Sequence, residues 1–315
     1  MRTKKKILVI MGGLSRERDI SLQTGKACFN AIKKMGYKVK SFDPAKKMLS
    51  EIKKSETDIV FNALHGKNGE DGHAQSYFEY LKIPYTHSGV LPSMLAMDKI
   101  ISKEIFKKNK ILSPNFFVLN SFDFKNANLK KLIKLNKLTF PIVIKPSNEG
   151  SSIGVKICKN YFSLFKNSKI LINIYNNLIF EKFIGGQEIQ VAVLKNRAIG
   201  AIELKPKRFF YDYKAKYSRS AKTDHIMPAN ISRKKYIEIQ KIAEKTHKVL
   251  GCKGVTRSDF KFYKNRFYLL EINTQPGMTN LSLVPEIAKY KGISFEKLVE
   301  QMIFDASINR WAKQL

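Results

Sequence analysis

The stretch "TRSDFKFYKNRFYLLEINTQPG", residues 256–277, decides how the chain folds and where its chemistry sits. It reads as two apolar strands joined by a tight turn at Lys264-Asn265-Arg266. With the turn centred on Asn265, Asp259 falls opposite Glu271. Asn273, two residues further along, shares the face of Glu271 because strand side chains alternate. Two carboxylates and a carboxamide then stand together just before Pro276-Gly277. Like charges held that close leave two outcomes: one carboxyl is protonated, or a cation sits between them. No His or Cys is near, so a hard ion such as Mg²⁺, shared with nucleotide phosphates, suits the donors. A surface hairpin with ordinary ion pairs is the alternative reading of the same residues. Arg257 points to the same face and is placed to neutralise developing charge.

The 315 residues, 43% hydrophobic and 11% aromatic, suffice for two or three domains or one large α/β unit and exclude global disorder. No apolar run approaches the ~18 residues of a membrane span. The opening "MRTKKKILVIMGG" is too short for a secretory leader and reads as a first buried strand. Cys28, Cys158 and Cys252 are scattered and odd in number. They predict neither a disulfide framework nor a metal cluster, and a reducing, cytoplasmic compartment is the default. Lys and Arg number 58 against 26 Asp and Glu, a net charge of +32. The lysines run through nearly every predicted helix, with no basic stripe and no nucleic-acid-binding motif. The charge reads as compositional, favouring anionic ligands such as nucleotides, with nucleic-acid binding as the alternative.

Working outward to the N-terminus, "KILVIMGG" (6–13) is a continuous apolar run closed by glycines, as in a buried parallel strand. Cys28, Ala31, Ile32 and Met35 recur at helical spacing, and Gly36 sits where a helix ends. "YKVKSFD", a lysine-rich helix and "DIVFNALHG" complete a βαβαβ order, which predicts a right-handed, doubly wound parallel sheet. Ligands of such sheets sit beyond the carboxyl ends of the strands, here "GGLSRERDIS" and "HGKNGEDG". After "GVLPSMLAMDK" and a helix to about Lys110, "SPNFFVL" and "FPIVIKPSNEGSSIGVKIC" read as antiparallel strands. From about residue 181, the strands "EIQVAVL", "AIGAIEL", "SDFKFY" and "RFYLLEIN" make a third unit. The fold class is α/β, α+β in the C-terminal part, with expected domains 1–96, 97–180 and 181–315.

Three more stretches carry chemistry. The loop in "IVIKPSNEGSSIGV" (142–155) offers N–H groups to phosphates, with Lys145 as a point charge on the strand before it. It is not a P-loop, since the G-K-[ST] ending is absent and a strand follows; a plain hairpin turn is the alternative. "IFEKFIGGQE" (179–188) turns at Gly185-Gly186 and allows an adenine hinge with an acid for the ribose, or merely a strand end with solvated charges. Glu17 is placed to meet a substrate amine, and His65 on the neighbouring strand end is either structural or functional. "FFYDYKAKYSRSAKTDHIMPA" (209–229) reads as a water-excluding lid or as an excursion without fixed structure.

In this order, "GGLSRERDISL", "ALHGKNGEDG", "PYTHSGVLPSMLAMDK", "IVIKPSNEGSSIGV", "FEKFIGGQE", "FYDYKAKY", "GCKGVTRSD" and "EINTQPGMTNLSLVP" resemble the ATP-grasp superfamily. Within it they resemble the D-alanine–D-alanine ligase family, over nearly the whole chain. The resemblance implies an ATP-grasp fold behind the parallel-sheet domain, and ATP-dependent ligation of two D-alanines through an acylphosphate, for peptidoglycan precursors. Lys99, Lys145, Glu181, Lys182 and Glu188 match ATP-binding positions, Ile184 the adenine-contacting backbone, and Ser151 and Ser152 the glycine-rich loop. Asp259, Glu271 and Asn273 match the ligands of two magnesium ions, for which manganese substitutes. Glu17 matches the residue orienting the first D-alanine's amine, with His65 beside that subsite. Ser151 matches the serine linked to Glu17 and, on lid closure, to Tyr217. Arg257 and the Gly277 N–H match the oxyanion donors, and Ser282 and Leu283 the site of the second D-alanine's carboxylate. A cytoplasmic homodimer is implied, without membrane or specific nucleic-acid partners. The lid sequence "SRSAKTDHIM" departs from the family pattern by being unusually basic, while Lys216-Tyr217 resembles the D-alanine-using branch. The neighbouring alternatives are a D-alanine–D-lactate or D-alanine–D-serine ligase, or a basic nucleic-acid-binding protein on an ATP-grasp scaffold.

Overall fold

The computed structural model describes residues 5–206, 223–279 and 281–308. Its first elements are β1 (Lys6–Ile10), α1 (Arg18–Lys34), β2 (Lys38–Phe42) and β3 (Ile59–Asn62), whose strands form a parallel sheet in the order β2-β1-β3. Ile7 and Val9 pack with Cys28, Ala31 and Ile32 of α1, while Leu8 and Ile10 pack with Phe78 and Tyr85 on the opposite face. A strand buried on both faces has no polar side, which is why its sequence is continuously apolar. Gly36 closes α1 with a φ of 78°, its N–H donating to the Lys33 carbonyl. The lysine-rich helix expected before β3 is absent: the segment makes only 3-10 turns at Leu49–Glu51 and Lys54–Glu56. Ile52 is its one fully buried apolar side chain, too little to anchor a helical face.

Helices α2 (His73–Tyr80), α3 (Val90–Met97) and α4 (Lys99–Lys108) lead to a second sheet. It contains β4 (Phe116–Asn120), β5 (Ile142–Pro146), β6 (Lys156–Cys158) and β7 (Asn177–Lys182), with α5 (Ser121–Phe124), α6 (Leu129–Leu135) and α7 (Tyr161–Ile172) between them. The strands are antiparallel in the order β4-β7-β5-β6. The third sheet, in the order β10-β9-β8-β11-β12, is built from β8 (Gln187–Leu194), β9 (Arg197–Pro206), β10 (Thr223–Ile226), β11 (Val255–Tyr263) and β12 (Arg266–Asn273), with α8 (Arg233–Val249) packed on it. Thr223–Ile226, read from sequence as part of a loop, instead pairs with β9. Tyr217 and the rest of the expected lid up to residue 222 lie outside the described residues. α9 (Leu283–Tyr290) and α10 (Phe295–Phe304) return to the first sheet, where Leu283, Ile287, Leu298 and Met302 share a buried cluster with Ile7, Val9 and Phe61.

The β11–β12 hairpin reaches the expected pairing by another route. Its turn has two left-handed residues, Lys264 (φ 46°) and Asn265 (φ 60°), with Tyr263 opposite Arg266. That register alone would set Asp259 against Leu270. A bulge between Asp259 and Phe260 takes up the extra residue, so Asp259 pairs with Glu271 and Arg257 with Asn273.

The turn from β7 to β8 depends on Gly186. Its φ is 81°, and a Cβ there would meet the Phe262 carbonyl oxygen at 2.2 Å; Gly292, at φ 79°, has nothing within 4 Å of such a carbon. Alanine at either position carries a left-handed strain of ~1–3 kcal/mol, but only Gly186→Ala adds a backbone clash. Thermal unfolding should therefore find Gly186→Ala clearly less stable than Gly292→Ala. Equal midpoints would contradict the close packing of this turn on β11.

Candidate active site

Between the second and third sheets lies a cleft of about 800 Å³, partly open to solvent, lined by Lys99, Lys145, Ser152, Glu181, Lys182, Ile184, Glu188, Asp259 and Glu271. Glu181 is no solvated strand end: it is 3% exposed. Lys145 Nζ lies 3.1 Å from its Oε1 and Lys103 Nζ 2.6 Å from its Oε2. Burial works to raise the Glu181 pKa, but the two lysines together outweigh it and hold the carboxyl below its ordinary range. Glu188 is paired with Lys261 at 2.9 Å, its neighbour across the strands. Lys182 is exposed at the rim.

Lys103 and Lys261 were not singled out from the sequence, because one lysine among so many carries no mark. For Lys103 the usable signal was its position four residues after Lys99, on the same helix face. Its side chain is fully buried and its amine sits 5.1 Å from the Phe116 ring centre.

From the third sheet the β11–β12 pairing brings its polar residues together. Arg257 holds Asp259 with two bonds, Nε to Oδ1 at 2.8 Å and Nη2 to Oδ2 at 2.9 Å. Asn273 Nδ2 is 3.5 Å from Asp259 Oδ2. Lys99 Nζ is 3.3 Å from Glu271 Oε2 and donates to the Glu149 carbonyl at 2.6 Å. Among the described residues no group of three or more His, Cys, Asp or Glu has metal-binding geometry. The oxygen donors gathered here are two carboxylates and one carboxamide.

A second cavity opens beneath the glycine-rich loop, lined by Glu17, Gly66, Asn148 and Gly150, and it shares Glu149 and Ile153 with the first. Ser151 Oγ donates to Glu17 Oε1. A Cβ on Gly150 would stand 3.0 Å from Glu17 Oε2, so the loop approaches the carboxylate closely only because no side chain intervenes. Ser15 Oγ donates to the His65 carbonyl at 2.6 Å and ties the two strand-end loops together. Arg18 and Asp43, also missed in sequence, brace the first of these loops: their closest contact is 2.6 Å, and the Arg18 guanidinium holds the Asp43 carboxyl far below its usual range.

His65 lines the adjoining pocket rather than the Glu17 cavity. Both its ring nitrogens face inward, Nε2 at 3.0 Å from Thr24 Oγ1 and Nδ1 at 2.7 Å from Glu70 Oε1. Burial pushes the Glu70 carboxyl up. At the other end, Ser282 stands just before α9, and its Oγ turns back to accept the Thr279 N–H at 2.9 Å, close to Gly277. The Leu283 side chain is 4% exposed inside the core, so what this residue offers a ligand is its backbone. Tyr217 lies outside the described residues.

Two antiparallel sheets closing on a cleft of paired lysines and acids, set behind a parallel sheet, define an ATP-grasp ligase architecture. Two family models match, described as D-ala D-ala ligase C-terminus over residues 105–304 and D-ala D-ala ligase N-terminus over residues 39–88. The D-alanine–D-alanine ligase of Pelagibacter ubique is 56% identical over 306 residues, covering 97% of this chain and 99% of its own. That of Carboxydothermus hydrogenoformans is 44% identical over 305 residues, with 95% and 97% covered. A crystal structure of D-alanine–D-alanine ligase from Bacillus anthracis complexed with ATP superposes with a TM-score of 0.84 at 32% identity, covering 96% of each chain. The chain belongs to the D-alanine–D-alanine ligase family.

The buried Lys103 yields a pH prediction. Burial pushes its amine down to about 8, against the attraction of Glu181. The folded chain thus releases this proton near pH 8, whereas the unfolded chain keeps it to ~10.4. Between those values the unfolded state binds more protons, so this group alone makes stability rise with pH. Compared with Lys103→Met, the wild-type melting temperature should gain on the variant from pH 8 to ~10. A constant difference would show that Lys103 does not titrate in that range.

Proposed function

We propose that the chain joins two D-alanines into D-alanyl-D-alanine while ATP is converted to ADP and phosphate. The observation that carries this reading is the continuity of the two cavities beneath the glycine-rich loop, through Glu149 and Ile153. One end is suited to a nucleotide and the other, at Glu17, to an ammonium group.

Phosphoryl transfer is mostly positioning and charge neutralisation. Lys99, Lys145 and Lys182 supply positive charge for the triphosphate, with Ser151 and Ser152 in the loop over it. Glu181 and Glu188 receive the ribose hydroxyls, and the backbone at Ile184 takes the adenine. Glu17 orients the first D-alanine by its ammonium, and His65 steadies that subsite from behind. The carboxylate of this D-alanine attacks the γ-phosphorus, ADP leaves, and an acylphosphate forms. The amine of the second D-alanine then attacks the acyl carbon, phosphate leaves, and the nitrogen gives up a proton. Arg257 and the Gly277 N–H receive the developing oxyanion. Ser282 and the Leu283 N–H, at the start of α9, receive the second carboxylate. The bond between Ser151 and Glu17 supports a closed loop that keeps water from the acylphosphate.

Asp259, Glu271 and Asn273 would hold the magnesium ions. Their donor chemistry fits, being all oxygen, and both carboxylates already attract cationic partners in Arg257 and Lys99. When bound, the ions neutralise charge on the transferred phosphoryl group. The three-domain division, a cytoplasmic site of action and a homodimeric state belong to the same proposal. The three cysteines are free and buried, in keeping with a reducing compartment. No described helix is long and apolar enough to cross a membrane.

The test is phosphate release from ATP and Mg²⁺ with D-alanine, with L-alanine, and with D-alanine plus D-lactate. Release that needs only D-alanine, with the dipeptide seen by mass spectrometry, is the expected result. Preference for D-lactate near neutral pH would make it an ester-forming ligase. No turnover, together with nucleic-acid binding at ~10⁻⁶ M in physiological salt, would overturn the enzymatic reading. Glu271→Gln should lower kcat by at least ~100-fold with the fold intact, since even outer partners of metal ligands cost 10–100-fold. An active variant would remove Glu271 from the metal site.

A further inference from the structure

The loop from Thr274 to Thr279 carries Gly277, and it is fastened on one flank to the end of β3 and on the other to α1. On one flank Gln275, 3% exposed, donates from Nε2 to the Leu64 carbonyl and accepts from Asn62 Nδ2 at 3.0 Å. Asn62 is itself fully buried, donating to the Gly69 carbonyl at 3.2 Å and accepting the Leu64 N–H at 3.2 Å. On the other flank the Met278 N–H donates to Thr24 Oγ1 at 3.3 Å. Thr24 lies within α1, the helix that follows Glu17, and its hydroxyl is 3.0 Å from His65 Nε2. One buried oxygen therefore joins the helix beginning at Glu17, the strand end carrying His65, and the loop carrying Gly277.

The hydrogen-bond roles along this chain are mutually consistent. With His65 Nδ1–H directed at Glu70, Nε2 accepts the Thr24 proton, and the Thr24 oxygen remains free to accept from Met278. Chains of this kind polarise one another and hold their members in one geometry. The proposed reaction needs such a link. The first D-alanine is held by its amine at Glu17, while its acyl oxygen must meet the Gly277 N–H at ~3 Å. These two groups sit on different sheets, and a misplacement of ~1 Å between them is worth ~100-fold in rate.

We infer that Thr24, assisted by the Gln275–Asn62 bond, is a positioning residue that sets the Gly277 N–H in register with the first D-alanine subsite. The inference rests on the ligase reading above. Thr24→Val keeps the shape and removes the hydroxyl; Thr24→Ser keeps the hydroxyl and removes a methyl. The expected result is a ~10–100-fold loss of kcat in Thr24→Val, an unchanged KM for ATP, and recovery of most of the rate in Thr24→Ser. Thr24→Ser as impaired as Thr24→Val would mean a packing role and overturn the inference. Amide exchange of the peptide spanning 274–279 supplies a readout that needs no turnover: it should quicken in Thr24→Val and not in Thr24→Ser. Wild-type protein without D-alanine turnover would sink the ligase reading. Unaltered exchange in Thr24→Val would sink the positioning role alone. Should Thr24→Val fail to fold, Gln275→Met releases the other flank and should show the same kcat loss at unchanged KM for ATP; wild-type kcat there would overturn the inference.

Discussion

Carboxylates brought together away from water are stable only if each has a cation or a proton of its own, and the cleft is arranged around that constraint. Glu181 lies between Lys103 and Lys145, Asp259 is clasped by Arg257, Glu271 faces Lys99, and Glu188 is paired with Lys261. Removing both lysines from Glu181, or Arg257 from Asp259, would leave a buried charge without an ionic partner, so the side chains are held where their partners stand. These partners come from α4, the second sheet and the third. Of these elements α4 reaches both antiparallel sheets, Lys103 pairing with Glu181 of the second and Lys99 with Glu271 of the third.

The first sheet is joined to this cleft by two different means. One is apolar: α9 and α10 place Leu283, Ile287, Leu298 and Met302 against the face of the sheet that carries Ile7 and Val9. The other is polar and runs through Asn62, Gln275, Thr24 and Met278. Apolar packing holds the layers together without specifying a rotation or a slide to a fraction of an ångström. Directional bonds between buried groups do specify it, because a mismatched donor has no water to turn to. Glu17, His65 and Gly277 lie where both kinds of contact meet.

Particular residues show how much of this was legible. The parallel sheet followed from an uninterrupted apolar strand and a helix ending at Gly36. The Asp259–Glu271 pairing was legible too, although a two-residue turn and a bulge produce it where a turn centred on Asn265 was expected. The lysine-rich stretch before β3 misled, because lysines favour helix but supply no face to bury. Leu283 was assigned by its place in a motif, and burial shows that only its backbone can reach a ligand. His65 was expected beside the Glu17 subsite; it lines the adjoining pocket, and both ring nitrogens are engaged within the protein.

By itself the sequence determined the parallel-sheet strands, the two strand-end loops beside Glu17 and His65, and the pairing that gathers Asp259, Glu271 and Asn273. These depend on periodicity and on neighbours along one chain segment, both of which can be read in a line. Only the tertiary structure decided that Lys103 and Lys261 pair with the acids of the cleft and that Thr24, inside a helix, touches a loop more than two hundred residues away. Burial and partnership over such separations depend on how sheets pack, and residue type alone does not distinguish a buried Lys103 from an exposed Lys107.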